Sequence, residues 1–176
     1  MSGVSFLGRT TIVVLAIASA CAASAFNLDL SSQGHYSFPG GSLFTVTESV
    51  IWQNSDASIP ALTSMTYTAD STTLQGTGTY TNGTDSFSFA FTFTDDIPTD
   101  GFSDTQTSHA IWTYTSGTGA FAGLMGSGVL ASTFDAPLGA TSLTETSGRL
   151  EPVPEPASLT LLGVGVAALI GRRRKI

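Results

Sequence analysis

The sequence predicts an all-β fold, a sandwich or a barrel, on three observations. Between residues 26 and 153 Thr, Ser and Gly dominate and no window carries a helical period. Several short runs alternate apolar and polar residues with period two, which turns one face of each strand toward a core. Turn signals separate those runs at short intervals, so seven or eight strands follow one another along the chain.

The clearest element is LQGTGTYTNGTDSFSFAFTFTDD. Phe87, Phe89, Phe91 and Phe93 alternate with Ser86, Ser88, Ala90 and Thr92, so four rings share one face of a strand. Before it, Leu74, Gly76, Gly78 and Tyr80 alternate with Gln and Thr, and the glycines leave room for rings from facing strands. Asn82-Gly83 between them reads as a two-residue type I′ turn, because both residues tolerate positive φ. Together these form a β-hairpin.

The remaining strands are read in order. Residues 43–53 (LFTVTESVIWQ) are β-branched and aromatic, and residues 62–69 (LTSMTYTA) alternate. Residues 107–115 (TSHAIWTYT) carry Trp and Tyr, residues 126–134 (GSGVLASTF) follow a glycine turn, and residues 140–150 close the sheet. Phe38-Pro39-Gly40-Gly41, Ile59-Pro60 and Asp135-Ala136-Pro137 are the turns between them. Gly76-Thr77-Gly78-Thr79-Tyr80 and Gly117-Thr118-Gly119-Ala120-Phe121 form a faint repeat, read as equivalent glycine-bearing starts of strands.

The segments flanking this domain carry addresses. Residues 1–25 place Arg9 before an apolar run from Ile12 to Ala20, then Ala23 and Ala25 at the −3 and −1 positions of a cut before Phe26. That is the layout of a secretory signal peptide. The only cysteine, Cys21, lies inside it, so the mature domain has no disulfide, thiol nucleophile or cysteine metal site. A domain of this length can hold together by its core, since it buries roughly two-thirds of its unfolded surface.

Twelve acidic residues face a single base, Arg149, between residues 26 and 153, a net charge of −11. Such a surface repels phosphate backbones and excludes nucleic acid as a partner. Catalytic signals are sparse. His35 and His109 stand in no metal-spaced motif, and Gly126-Ser127-Gly128 sits among strands without opening a helix. Asp95, Asp96, Asp100 and Asp104 crowd one Gly/Pro loop and form a weak Ca²⁺ candidate, although their spacing matches no established calcium loop. Trp52 and Trp112 each follow an isoleucine; facing solvent they would stack on sugar rings, and facing inward they would belong to the core.

Residues 151–156 are a Pro-rich linker, and from Ala157 to Gly171 the chain is mostly apolar. As a helix that run is about 22 Å long, short of the roughly 30 Å hydrocarbon core, and snorkelling side chains and local thinning make up the difference. Arg172, Arg173, Arg174 and Lys175 then fix a cytoplasmic end, so the domain carrying one base crosses the membrane. Residues 157–176 thus read as a short transmembrane helix with a basic tail.

Two resemblances follow from these residues. Pro154-Glu155-Pro156, the apolar run and the Arg-rich end, in that order, closely resemble the PEP-CTERM sorting signal. That resemblance implies a Gram-negative host that makes exopolysaccharide, and recognition by an exosortase that releases or transfers the protein outside the cell. Its catalytic residues belong to that enzyme and not to this chain. GTGAFAGLMGSGVL, from Gly117 to Leu130, resembles a segment of the allene oxide cyclase and dirigent-like barrels. It tilts the fold toward a small antiparallel β-barrel, the sandwich being the alternative.

The expectation is a non-enzymatic cell-surface or matrix domain without a cofactor, associated with biofilm or exopolysaccharide. A carbohydrate-binding module using Trp52 and Trp112 is the alternative. A barrel enzyme using the acidic residues comes third, since paired carboxylates perform glycoside chemistry.

Overall fold

The computed structural model describes residues 25–54 and 59–153. It is a closed barrel of eight antiparallel strands. These are β1 (Phe26–Gly40), β2 (Leu43–Gln53), β3 (Ser64–Asp70), β4 (Gln75–Thr81), β5 (Ser86–Phe93), β6 (Thr105–Thr118), β7 (Leu124–Asp135) and β8 (Thr141–Pro152). Each strand pairs with its sequence neighbour, and β1 closes on β8 from Phe26↔Leu150 to His35↔Thr141. The barrel, rather than the sandwich, is the architecture. Closure leaves no free sheet edge, so residues 26–152 satisfy their own ladder without help from the flanking segments.

The interior is rich in aromatic rings. Phe87, Phe89, Phe91 and Phe93 are all buried, as their alternation predicts. Tyr80 stacks on Phe87 at 5.2 Å between ring centroids, and Phe44 meets Phe134 edge-on at 5.7 Å. Gly76 and Gly78 lie opposite Phe91 and Phe89 across the β4–β5 ladder. A Cβ on Gly78 would strike the Phe89 ring and stand 2.9 Å from Tyr67 Cβ, so the rings occupy the space that the glycines leave.

Four sequence expectations change. The β4–β5 connection is a four-residue loop, since Thr81 pairs with Ser86, and Asn82 does not take positive φ. Asn82 Oδ1 instead accepts from the backbone N–H groups of Thr84 and Asp85, and only Gly83 is left-handed. Self-bonding by the Asn side chain wins over the tight turn. The faint repeat joins unlike places: Gly76–Tyr80 lies inside β4, whereas residues 117–121 run from the end of β6 into a 3-10 turn, Gly119–Phe121. The Phe38-Pro39 turn signal belongs largely to β1, and the turn itself falls at residues 41–42. β1 was not foreseen as a strand, because Ser32 and Gly34 interrupt its inward series of Leu28, Leu30 and Tyr36.

The signal peptide at residues 1–25 and the apolar helix and basic tail at 157–176 lie outside the described residues, apart from Ala25. Among the described residues no helix is long and apolar enough to cross a membrane.

Candidate functional site

Two places gather polar chemistry, one inside the barrel and one on its outer wall. The inner one centres on Glu48 of β2, which is 2 % exposed. Ser32 Oγ donates to Glu48 Oε2 at 2.5 Å, and Thr144 Oγ1 donates to Oε1 at 3.0 Å. Tyr67 OH donates to Ser132 Oγ at 3.0 Å, and Ser132 lies 3.0 Å from Thr144 Oγ1. With Thr144 committed to the carboxylate and Tyr67 to Ser132, the hydrogens run one way, from Tyr67 through Ser132 and Thr144 to Glu48. Ser142 Oγ faces the same carboxyl group but has no partner within hydrogen-bonding distance.

Burial pushes the Glu48 carboxyl above its usual range, against the opposing pull of the Ser32 and Thr144 hydroxyls bonded to it. Burial likewise raises Tyr67 and Tyr80, so both phenols stay protonated, and Tyr80 OH lies 2.7 Å from Thr146 Oγ1. Period two could have located Glu48, because it is the acid in the inward series Phe44, Val46, Glu48, Val50. The hydroxyl wall opposite was hidden. In β8 the small polar residues Ser142, Thr144 and Thr146 point inward and Leu143 points out, the reverse of the usual pattern.

The outer site is built by a β-bulge. Ser32 pairs with Val50, but Ser31 pairs with Trp52, so Ile51 is an extra residue in β2. By simple alternation Trp52 would follow Val46, Glu48 and Val50 into the barrel. The extra residue turns it outward, a common use of bulges at the rims of sheets. Trp52 is 55 % exposed. It borders a shallow groove of about 600 Å³ that also takes in Asp29, Ser31, Glu145, Val129 and His109. The pairings Trp52↔Ser31, Ser31↔Glu145, Glu145↔Ala131 and Ala131↔His109 form one row across five strands. At about 4.8 Å per strand the row is roughly 19 Å long.

At the far end of that row His109 Nδ1 meets Asp95 Oδ2 at 2.6 Å, and the His109 backbone N–H donates to Asp95 Oδ1 at 2.6 Å. Partial desolvation works to raise the Asp95 pKa, but these bonds and the ring outweigh it and hold the carboxyl below its usual value. The pair fixes the imidazole by Nδ1 and leaves Nε2 free of it.

Trp112, the other aromatic proposed to meet sugars, is fully buried. Its Nε1 donates to the carbonyls of Val129 at 3.2 Å and Ser147 at 3.1 Å. The indole lies across Gly128 and Gly148, which pair with each other on β7 and β8. Stacking on an external ligand is therefore closed to Trp112, whose ring is part of the core.

The loop aspartates do not converge. Asp95 is engaged by His109, and the Asp96 backbone carbonyl accepts from Gln106 and Ser108 at 2.7 Å each. Among the described residues no three His, Cys, Asp or Glu side chains are placed to hold a metal ion. His35 is on β1, and Ser127 lies on β7 opposite Thr113, four residues along β6 from His109, so neither joins the Asp95–His109 pair.

Residues 152–175 match the family described as the PEP-CTERM protein-sorting motif. This segment includes Pro154, Glu155 and Pro156 and the basic residues Arg172, Arg173, Arg174 and Lys175. The chain is thus an exported protein of the cell exterior, processed by an exosortase. No curated protein and no solved structure matches it. The likeness of residues 117–130 to allene oxide cyclase and dirigent-like barrels accordingly has no support from relatives, although the barrel itself stands.

Proposed function

We propose that the processed barrel is a non-enzymatic module of the extracellular matrix that meets exopolysaccharide through the groove at Trp52. The observation that carries this reading is the bulge at Ile51, which spends a residue of β2 to turn an indole into solvent. A large aromatic side chain at an exposed sheet surface forgoes burial, and its flat apolar face suits the C–H face of a pyranose ring. Val129, 57 % exposed and lining the same groove three strands away on β7, adds apolar surface further along it.

An enzymatic reading would have to run through Glu48, the acid with a raised pKa. Both its oxygens are occupied by hydroxyls of the barrel wall, and the aromatic core surrounds it. Its role in this reading is to organise the polar side of the interior.

In the same proposal the tail works in three parts in a Gram-negative host. Residues 157–171 stop transfer in the inner membrane, Arg172 to Lys175 hold the cytoplasmic end, and Pro154-Glu155-Pro156 presents the segment for processing. The function is tested by titrating the processed protein with exopolysaccharide from its host while following tryptophan emission. Quenching that disappears in Trp52→Ala is expected. Unchanged emission at saturating polysaccharide contradicts the reading.

A further inference from the structure

We infer that the Trp52 groove selects amino-sugar polymers whose amines are free and protonated, over neutral or acidic polysaccharides. This inference rests on the polysaccharide reading of the same groove and adds the chemical class of its ligand.

The groove places negative charge around a stacking surface. Asp29 and Glu145 share the groove with Trp52, Asp29 on the neighbouring strand β1 and Glu145 one strand further along, on β8. Asp95 stands at the far end, tied to His109 and 41 % exposed at its side chain. Across from these acids the groove lining has no Lys or Arg. Arg149, the one base between residues 26 and 153, lies beyond Ser147 on β8 and leans toward Glu151 at 3.8 Å. A hexosamine polymer laid along the row would stack one ring on Trp52 and pass its neighbours over Ser31, Glu145 and Ala131. Their ammonium groups would then meet Glu145 and Asp29, in charge-assisted hydrogen bonds of the stronger kind.

Each alternative ligand loses part of this fit. An acidic polysaccharide approaches a domain of net charge −11 and is repelled before contact, whereas a polycation is steered toward it. A neutral or N-acetylated polymer keeps the stacking but brings no charge to the two carboxylates. A cationic peptide satisfies the carboxylates but offers no flat C–H face to the indole.

The test uses residues 26–153, whose barrel closes within its own strands. Three probes of matched length are titrated: a β-1,4-glucosamine oligomer, its fully N-acetylated form and an oligolysine. The glucosamine oligomer is expected to bind about tenfold more tightly than the acetylated form at low salt, and to lose most of that margin at high salt. Asp29→Asn with Glu145→Gln is expected to remove the margin while the acetylated oligomer binds as before. Trp52→Ala is expected to weaken both sugars.

Equal binding of the two sugars overturns the amine selectivity and leaves the polysaccharide reading intact. Binding of neither sugar overturns both. Oligolysine binding as tightly as glucosamine, without dependence on Trp52, shows general attraction of cations and also overturns the inference. Melting curves of the surface variants check that each still folds, and the salt series on the parent tests the charge selectivity without any variant.

Discussion

Thr144 on β8 donates its hydroxyl to the buried carboxyl group of Glu48 on β2, 3.0 Å away across 96 residues of sequence. Between them runs β1, whose Ser32 donates to the other carboxyl oxygen. Three strands are thereby tied at the seam where the barrel closes. The arrangement places a carboxyl group among hydroxyls with no cationic side chain in contact, and burial makes the neutral form the easier one to keep.

That relationship predicts a pH signature. The Glu48 pKa is raised in the fold, so the folded state holds this proton more tightly than the unfolded chain. Its stabilising contribution is fully present below the unfolded pKa and is lost as pH rises through the folded one. Asp70 and Asp95 run the other way. Their pKa values are lowered, and their contributions are present above the unfolded value and lost as pH falls through the folded one. Glu48→Gln keeps the shape and removes one titration. Melting temperatures of variant and parent, compared from the carboxylate range to neutrality, are expected to diverge in the variant's favour as pH rises. A constant difference across that range contradicts a raised Glu48.

A second prediction concerns the slot that holds Trp112. A Cβ on Gly148 would stand 2.6 Å from the Ser127 carbonyl oxygen and 3.0 Å from Gly128 Cα, and would strike the Trp112 ring. Neither the paired strand nor the buried indole has room to yield. Gly148→Ala is expected to cost about 1–3 kcal/mol in denaturant unfolding, as overpacking of a filled core does. A loss below about 0.5 kcal/mol would mean that the ring does not rest on this glycine.

The two tryptophans should separate spectroscopically. Trp112 is buried and Trp52 is in solvent, so an aqueous quencher is expected to reach one component of the emission and spare the other. In Trp52→Ala the remaining emission should be blue-shifted and protected, with stability within about 0.5 kcal/mol of the parent. Full quenching of that remaining emission would place Trp112 at the surface and contradict the core described above.

Strands with regular alternation were legible from sequence, and the reasons lie in particular residues. β5 declares itself through four phenylalanines, and β2 was read to its full extent, residues 43–53. β1 was hidden because a barrel interior tolerates Ser32 facing Glu48, so the inward face need not be apolar. β8 was found as a strand, but its facing was not legible, since Leu143 points out and Thr144 in. The site was harder still. Trp52 and Trp112 look alike in sequence, each after an isoleucine. One inserted residue in the β1–β2 register turns the first outward, while the paired glycines Gly128 and Gly148 draw the second inward. Register and close approach between distant strands decide both, and neither is written locally.

The central claim is that this is a self-contained barrel carried to the cell exterior by a separate sorting segment, matched at residues 152–175. Mass spectrometry of the protein after replacing Pro154, Glu155 and Pro156 together by alanine tests it most directly. The barrel closes before these positions, so the domain should fold, and the apolar run is untouched. Unprocessed protein with its full tail is expected to accumulate in the inner-membrane fraction. An alanine variant that is trimmed and reaches the cell exterior like the parent would contradict the account.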